Sequence, residues 1–308
     1  MTEPAAMDRD GAGRLMKSAT YASVSVAVTL IVAKLGAWIV TDSVAVLSTL
    51  IDSLLDAVAS VITLFAVHHA LVPADREHRF GHGKAEALAA LGQAAFITGS
   101  ACLLVVEAVR RFFQPHEVTR ELVGIAVMVL SIVLTLVLVQ YQRYVVRKTA
   151  SVAIGADSLH YVGDLLVNGA VIAALATTAW LGWQWVDPVL ALCVAGYILI
   201  SAWRIARSSL DMLMDRELPD EDRKRIREIV LAHPEVHAFH DLRSRRSGTD
   251  TFIQLHIELD GELTVEQAHD ISDAVEEEIR AAFPNAEVII HQDPVGLEED
   301  HAKVAYRA

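Results

Sequence analysis

The sequence predicts an α-helical membrane protein with six transmembrane helices, followed by a small cytoplasmic α+β domain. The first observation is composition, since 53% of the 308 residues are hydrophobic, whereas soluble domains have about 45–50%. The second is that six apolar segments before residue 214 are long enough to cross a bilayer, which takes roughly 20 residues. The third is that residues 215–308 hold 23 acidic and 11 basic residues in patterns typical of a soluble domain.

The apolar segments define the domain organisation. We place them at 17–40, 44–71, 86–112, 120–144, 150–181 and 186–209. This gives an N-terminal tail over 1–16, a transmembrane domain over 17–213, a soluble domain over 214–296 and a C-terminal tail over 297–308. Basic residues concentrate before the first segment and after the second, fourth and sixth. Because cytoplasmic loops carry the excess of Lys and Arg, both termini are expected in the cytoplasm.

The soluble domain has the element order α-β-β-α-β. Pro219 followed by three acidic residues is typical of a helix start, and a strand is expected near 236–246. Residues 251–259 alternate, with Ile253, Leu255 and Ile257 on one face. Thr264 and Gln267 form a capping box that opens the second helix, and a last strand covers 287–291. The acidity of this domain argues against binding nucleic acid and suits cations.

Two pairs of ionisable residues lie inside the apolar segments, each with i, i+4 spacing: Asp52 with Asp56, and His160 with Asp164. Residues four apart share one face of a helix. At 1.5 Å per residue, the first pair lies about 12–18 Å below the outer end of its segment, and the second about 15–21 Å above the inner end. All four therefore lie near the middle of the bilayer, where a charged group costs about 2.5–3.5 kcal/mol on insertion scales.

These four residues predict an intramembrane metal site. The alternative is that they are polar residues satisfied by interhelical hydrogen bonds, but four at one depth favour ligands. Three carboxylates and one imidazole suit tetrahedral Zn²⁺, while Cd²⁺, Fe²⁺, Co²⁺ and Mn²⁺ remain open. Asp157, one turn before His160, is a candidate for a proton-carrying or gating group.

Two further clusters contain metal-ligand residue types. Asp75, His78 and His82 lie in the predicted inner loop after the second segment, where a solvated polar loop is the alternative and spacing does not decide. In the soluble domain, the candidates lie in or beside the three strands and on the second helix. They are His240, His256, His269, His291 and Asp293.

The motifs around these residues resemble those of the cation diffusion facilitator family, over about residues 14–296. They are closest to the bacterial ferrous-iron and zinc efflux pumps of that family. The motifs are Asp52-Ser53-Leu54-Leu55-Asp56, Pro73-Ala74-Asp75, Phe80-Gly81-His82-Gly83-Lys84-Ala85-Glu86, Ala156-Asp157-Ser158-Leu159-His160-Tyr161 with Asp164, and Ile290-His291-Gln292-Asp293-Pro294.

The resemblance implies a homodimeric, multi-pass protein of the inner (cytoplasmic) membrane that exports Zn²⁺, and also Fe²⁺ or Cd²⁺, in exchange for protons. It implies a soluble domain of metallochaperone-like fold and no enzymatic activity. Carried onto this sequence, the transport site is Asp52, Asp56, His160 and Asp164, and the loop site is Asp75, His78 and His82. The cytoplasmic site is the five-residue set above. Lys84 and Asp215 correspond to a charge pair that braces the dimer.

Other classes of protein fit the residues less well. An intramembrane aspartyl protease would leave His160 without a role, and its Gly-x-Gly-Asp motif is absent from the sequence. A metal sensor or storage protein has no need of a site in the middle of the membrane. A passive channel would lack saturable, pH-coupled flux, which is the measurement that separates it from an antiporter.

Overall fold

The computed structural model describes residues 9–42, 44–113, 122–181 and 185–296. They form two compact units, one built on Arg9–Met214 and the other beginning at Asp215. The C-terminal tail predicted over 297–308 lies outside the described residues, as do residues 1–8 of the predicted N-terminal tail.

The first unit is a bundle of long helices at the predicted places. They are α1 (Arg9–Thr41), α2 (Val44–Ala70), α3 (Lys84–Phe113), α4 (Leu122–Thr149), α5 (Val152–Leu181) and α6 (Val186–Leu213). α1 starts inside the predicted N-terminal tail, and its Met16 is buried in an apolar cluster with Val67 and Ile154. α4 and α6 run past the predicted ends, since a helix can continue beyond its apolar stretch when its last turns are polar.

Five of these helices, α1 to α4 and α6, are long and apolar enough to cross a membrane. α5 is equally long, but Asp157, His160 and Asp164 reduce the hydropathy of its described part. Six transmembrane spans therefore stay a prediction. Large apolar side chains such as Val32, Phe65, Leu103 and Trp203 are exposed on the outside of the bundle, as expected of a surface that contacts lipid.

α5 is the central helix of the bundle and packs against α2, α3, α4 and α6, with a smaller contact to α1. Every residue from Ala156 to Gly163 is buried. Leu159 packs into a cluster with Ile97 and Ile198, and Val162 packs with Leu138. Because α5 is enclosed along this stretch, its ionisable side chains lie inside the protein.

The second unit contains α7 (Asp220–Ala232), β1 (Ala238–Ser247), β2 (Asp250–Leu259), α8 (Val265–Ala282) and β3 (Ala286–Pro294). This is the predicted element order. The sheet order is β1-β2-β3, and β2 and β3 are parallel with His256 opposite His291. The capping box at the start of α8 is confirmed, since Thr264 Oγ1 accepts from the Gln267 N–H and the Gln267 side chain accepts from the Thr264 N–H.

The core of the second unit lies between the helices and one face of the sheet. On β2, Ile253, Leu255 and Ile257 are buried as the alternation predicted, and they pack with apolar residues of α7 and α8. His256 belongs to the opposite face because neighbouring residues of a strand point to opposite sides. The sheet therefore presents its histidines on the side that the helices leave open.

Candidate metal centres

The transport-site candidates Asp56, His160 and Asp164 come together between α2 and α5. His160 Nε2 lies 2.7 Å from Asp56 Oδ1 and 3.9 Å from Asp164 Oδ2, and the side chain of His160 is 9% exposed. One ligand atom from each residue lies within 4.8 Å of the others. Ligands of tetrahedral Zn²⁺ are roughly 3.4 Å apart, from bond lengths near 2.1 Å, so small side-chain movements suffice to hold an ion.

Asp52, the fourth predicted ligand, does not belong to this group. It lies one turn from Asp56 on α2 and is exposed, so it would have to turn inward to complete the site. Its position on the same helix face keeps it within reach of the other carboxylates.

Lys34 on α1 is a charged neighbour of this site, and it was not among the predicted site residues. Its Nζ donates to Ser53 Oγ at 2.7 Å and to the Thr49 carbonyl at 3.1 Å. It interacts electrostatically with Asp56, Asp164 and Asp52. The available signal was a single lysine inside a long apolar segment, which is costly in a membrane and marks a functional position.

The loop-site candidates also come together, in loop 71–83 between α2 and α3. Asp75 Oδ2 lies 3.4 Å from His82 Nε2, and Asp75 Oδ1 lies 3.4 Å from His78 Nδ1. The N–H groups of His78 and Glu77 both donate to Asp75 Oδ1 and hold the pKa of that carboxyl below its usual value. The side chain of His82 is buried while that of Asp75 is half-exposed, so an ion can enter from the open side.

The cytoplasmic cluster is centred on Asp293, whose side chain is 5% exposed. Asp293 Oδ2 lies 2.8 Å from His256 Nδ1 and 3.3 Å from His240 Nε2. Asp293 Oδ1 lies 3.2 Å from His291 Nε2. The parallel register explains this arrangement, because His256 and His291 are direct neighbours and Glu258 is opposite Asp293.

Two carboxylates near this cluster were not among the predicted residues. Glu258 Oε1 lies 3.4 Å from His240 Nδ1, and Asp241 Oδ2 lies 3.9 Å from His256 Nε2. The alternation of β2 puts Glu258 on the same face as His256 and was the signal for it. Nothing local signals Asp241, which has a left-handed backbone conformation with φ 49°.

His269 is not brought into the cluster. It lies on α8, where it is 64% exposed and its Nε2 is 3.5 Å from Asp273 Oδ2. α8 covers the apolar face of the sheet, whereas the cluster lies on the other face. If His269 is a ligand of this site, it must therefore come from a second copy of the chain.

Lys84 and Asp215 belong to different units, so their pairing stays a prediction. Lys84 stands at the start of α3, and its Nζ donates to the Leu213 carbonyl at 3.3 Å. Asp215 follows α6 and accepts from Arg245 Nη1 at 3.1 Å.

Long apolar helices around a carboxylate–imidazole group, together with a histidine-rich soluble domain, define a membrane protein that handles metal cations. Two family models match the chain: the cation efflux transmembrane domain over residues 20–214, and the cytoplasmic domain of cation efflux proteins over residues 218–295. The protein therefore belongs to the cation efflux, or cation diffusion facilitator, family, whose members are transporters and not enzymes. The resemblance seen in the motifs is confirmed.

Similar proteins include cation-efflux pumps called FieF. The pump of Cronobacter sakazakii is 48% identical over 285 residues, which cover 92% of this chain and 95% of that protein. The pump of Serratia proteamaculans is 47% identical over 284 residues, covering 92% and 94%.

Solved structures with similarity cover about a quarter of this chain. The metal-bound C-terminal domain of the CzcD transporter from Thermotoga maritima is 34% identical, covers 26% of this chain and 93% of that one, and has a TM-score of 0.25. The zinc form of CzrB is 33% identical, covers 28% and 98%, and has a TM-score of 0.26.

Proposed function

We propose that this protein exports a divalent cation from the cytoplasm across the inner membrane by alternating access, in exchange for protons. Zn²⁺ is the favoured substrate, with Fe²⁺ and Cd²⁺ as further substrates. The observation that carries the proposal is the group formed by Asp56, His160 and Asp164 between two helices of the transmembrane unit. Asp52 is proposed as the fourth ligand, supplied when its side chain turns inward.

The ligand set supports zinc. Two or three carboxylate oxygens and one imidazole nitrogen match the ligands and the coordination number of Zn²⁺. A site made only of oxygen ligands would suit Mg²⁺, Ca²⁺ or Mn²⁺ instead. The imidazole of His160 is thus the group that moves the preference from hard cations towards zinc, iron and cadmium.

Proton coupling follows from the chemistry of these ligands. A metal ion binds ionised carboxylates and neutral imidazole, so binding releases protons and protonation releases metal. If the metal-loaded and the protonated forms open to opposite sides of the membrane, inward proton flow drives metal export. Histidine suits this exchange because its protonation changes in the physiological pH range.

The cytoplasmic unit supports a regulated homodimer. The family model describes residues 218–295 as a cytoplasmic domain, and with the six spans that we propose both termini lie on the cytoplasmic side. We propose that metal binding at Asp293 and its histidines tightens the dimer and favours one state of the transmembrane unit. Such coupling is allosteric if each site changes the affinity of the other.

The test is metal flux into proteoliposomes that contain the purified full-length protein, with Zn²⁺, Cd²⁺ and Fe²⁺ compared with and without an imposed pH gradient. We expect saturable metal flux that rises when protons can flow in the direction opposite to the metal. We also expect loss of flux in Asp56→Ala. Asp42→Asn is the matched control because Asp42 is an exposed aspartate at the end of α1. Flux that ignores the pH gradient contradicts antiport, and normal flux in Asp56→Ala contradicts the site.

A further inference from the structure

Asp157 on α5 lies inside the helix bundle and is 1% exposed. Its Oδ2 accepts hydrogen bonds from Ser23 Oγ and Gln142 Nε2, both at 2.7 Å. Its Oδ1 accepts from Ser60 Oγ and Gln93 Nε2, both at 3.3 Å. The donors belong to α1, α4, α2 and α3, so one carboxylate connects α5 to four other helices.

These donors are also bonded among themselves and to their neighbours. Gln142 Nε2 donates to Ser23 Oγ at 2.9 Å, and Ser60 Oγ lies 2.9 Å from the hydroxyl of Tyr161. We call Asp157, Ser23, Ser60, Gln93 and Gln142 the polar layer. None of the five is more than 7% exposed, so the layer is buried between the five helices that supply it.

The polar layer lies between the proposed transport site and the end of the bundle that carries loop 71–83. On α5, Asp157 comes three residues before His160, and on α2, Ser60 comes four residues after Asp56. Each is therefore about one helical turn, or roughly 4.5–6 Å, nearer to that end. Further towards the same end is an apolar cluster whose members are 1% exposed or less: Met16, Ala19, Val67, Val145, Ala153 and Ile154.

The opposite side of the site is open. Asp164, one turn from His160 in the other direction, has a side chain that is 43% exposed, and Asp52 is exposed too. Exposed carboxylates at this depth would be costly against hydrocarbon, which favours a water-filled space on this side of the site. The described helices therefore leave the site open away from loop 71–83 and closed towards it.

We propose that Asp157 is a positioning residue for transport, and that the polar layer is an inner gate that must separate before an ion can enter from the cytoplasm. The gate is closed in this conformation. This deepens the proposed function and rests on it, since the gate has a role only if the site above it carries the ion.

The bonding of Gln142 shows why such a gate can open. Its Oε1 atom is buried and has no hydrogen-bond partner within the described part of the chain. An unsatisfied buried acceptor costs free energy. The closed layer is therefore less stable than a layer in which every polar atom is hydrogen-bonded. Each of the four other helices donates its own hydrogen bond to Asp157, so movement of any one of them breaks part of the layer.

The test uses Gln142→Met, which removes the bonds to Asp157 and Ser23 at similar volume, with Asp157→Asn as a second variant. Gln140→Met is the control because Gln140 is an exposed glutamine on the same helix. Full-length protein is assayed in inside-out vesicles with Zn²⁺ at the cytoplasmic face. A weaker gate raises the fraction of inward-open protein, so the apparent KM for Zn²⁺ should fall on the order of fivefold in both variants.

A second measurement reports the gate without transport. Val67→Cys, introduced with Cys102→Ala and Cys193→Ala, puts a thiol in the apolar cluster on the cytoplasmic side of the layer. A membrane-impermeant maleimide applied from that side should label it slowly in the parent protein. Adding Gln142→Met should speed labelling on the order of fivefold, and adding Gln140→Met should leave the rate unchanged.

The outcomes separate the gate from the transport site. An unchanged KM in both variants together with unchanged labelling after Gln142→Met would mean that the layer only holds the fold together, and it would overturn the proposal. Absence of saturable Zn²⁺ flux in the parent protein, or full flux in Asp56→Ala, would overturn the proposed function instead. Faster labelling with Gln142→Met, together with a lower KM for Zn²⁺, supports the gate.

Discussion

Asp56 on α2 and His160 on α5 are 104 residues apart in sequence, and their Oδ1 and Nε2 atoms are 2.7 Å apart in the structure. This contact joins an acidic helix face to an imidazole on the central helix. The nitrogen ligand is the feature that distinguishes the site from one made of carboxylates alone, and it leads to the first prediction.

His160→Asp should lower Zn²⁺ flux on the order of tenfold or more and raise the flux of Mn²⁺ relative to Zn²⁺. A site made only of oxygen ligands prefers harder cations. Competitive flux of the two ions in proteoliposomes measures the ratio, with His237→Ala, at an exposed histidine of the second unit, as control. An unchanged ratio would mean that His160 does not set the metal preference.

Lys34→Gln should tighten Zn²⁺ binding on the order of fivefold, because a nearby positive charge opposes a divalent cation. The ammonium interacts electrostatically with Asp52, Asp56 and Asp164, so it offsets their charge when no ion is bound. Lys34→Arg keeps the charge and should bind like the parent protein. Equilibrium binding to purified protein in detergent measures both variants, and equal affinities for all three proteins would show that the lysine only anchors α1 to Ser53.

Much of the fold and part of the site could be predicted from local patterns. Apolar length located the six long helices, and i, i+4 spacing selected Asp56, His160 and Asp164. Lys34 and the surroundings of Asp157 could not be predicted in the same way. The partners of Lys34 stand on another helix, and those of Asp157 stand on four, so only packing brings them together.

The carboxylate of Asp75 should stay ionised through the whole range in which the loop binds metal. The N–H groups of His78 and Glu77 lower the pKa of Asp75 from its ordinary value of 3.8. The ionised form therefore stabilises the folded loop fully above about pH 4, and this contribution is lost only as the pH falls further. Metal affinity measured from pH 8 to pH 5 should decline because protons compete for the imidazoles.

The same loop offers a matched pair of variants. Asp75→Asn keeps an oxygen that accepts from the two N–H groups, whereas Asp75→Ala removes it. Both should lose metal binding at the loop, but only Asp75→Ala should increase hydrogen exchange at residues 77 and 78. Equal exchange in the two variants would show that the side chain does not order the loop.

In the cytoplasmic unit, Asp293→Asn should weaken metal binding on the order of a hundredfold, because the carboxylate faces three imidazoles at once. His269→Ala should leave binding at the Asp293 cluster intact, since His269 is on the helix-covered side of the sheet. Calorimetric titration of the full-length protein in detergent measures the number and affinity of sites. Loss of the Asp293 site in His269→Ala would mean that a second chain supplies His269 to it.

We expect that Glu86, on α3, stabilises the start of α5. It is 2% exposed, it accepts from the Ser151 hydroxyl, and it accepts from the Ala153 N–H at 3.3 Å. The first turn of a helix has N–H groups without partners, so this carboxylate acts as a cap supplied by another helix. Glu86→Ala should destabilise the protein by about 1–2 kcal/mol, measured as a lower unfolding midpoint in detergent. Glu86→Gln keeps an acceptor oxygen and should lose less, whereas equal loss in both variants would show that the charge and not the hydrogen bonding matters.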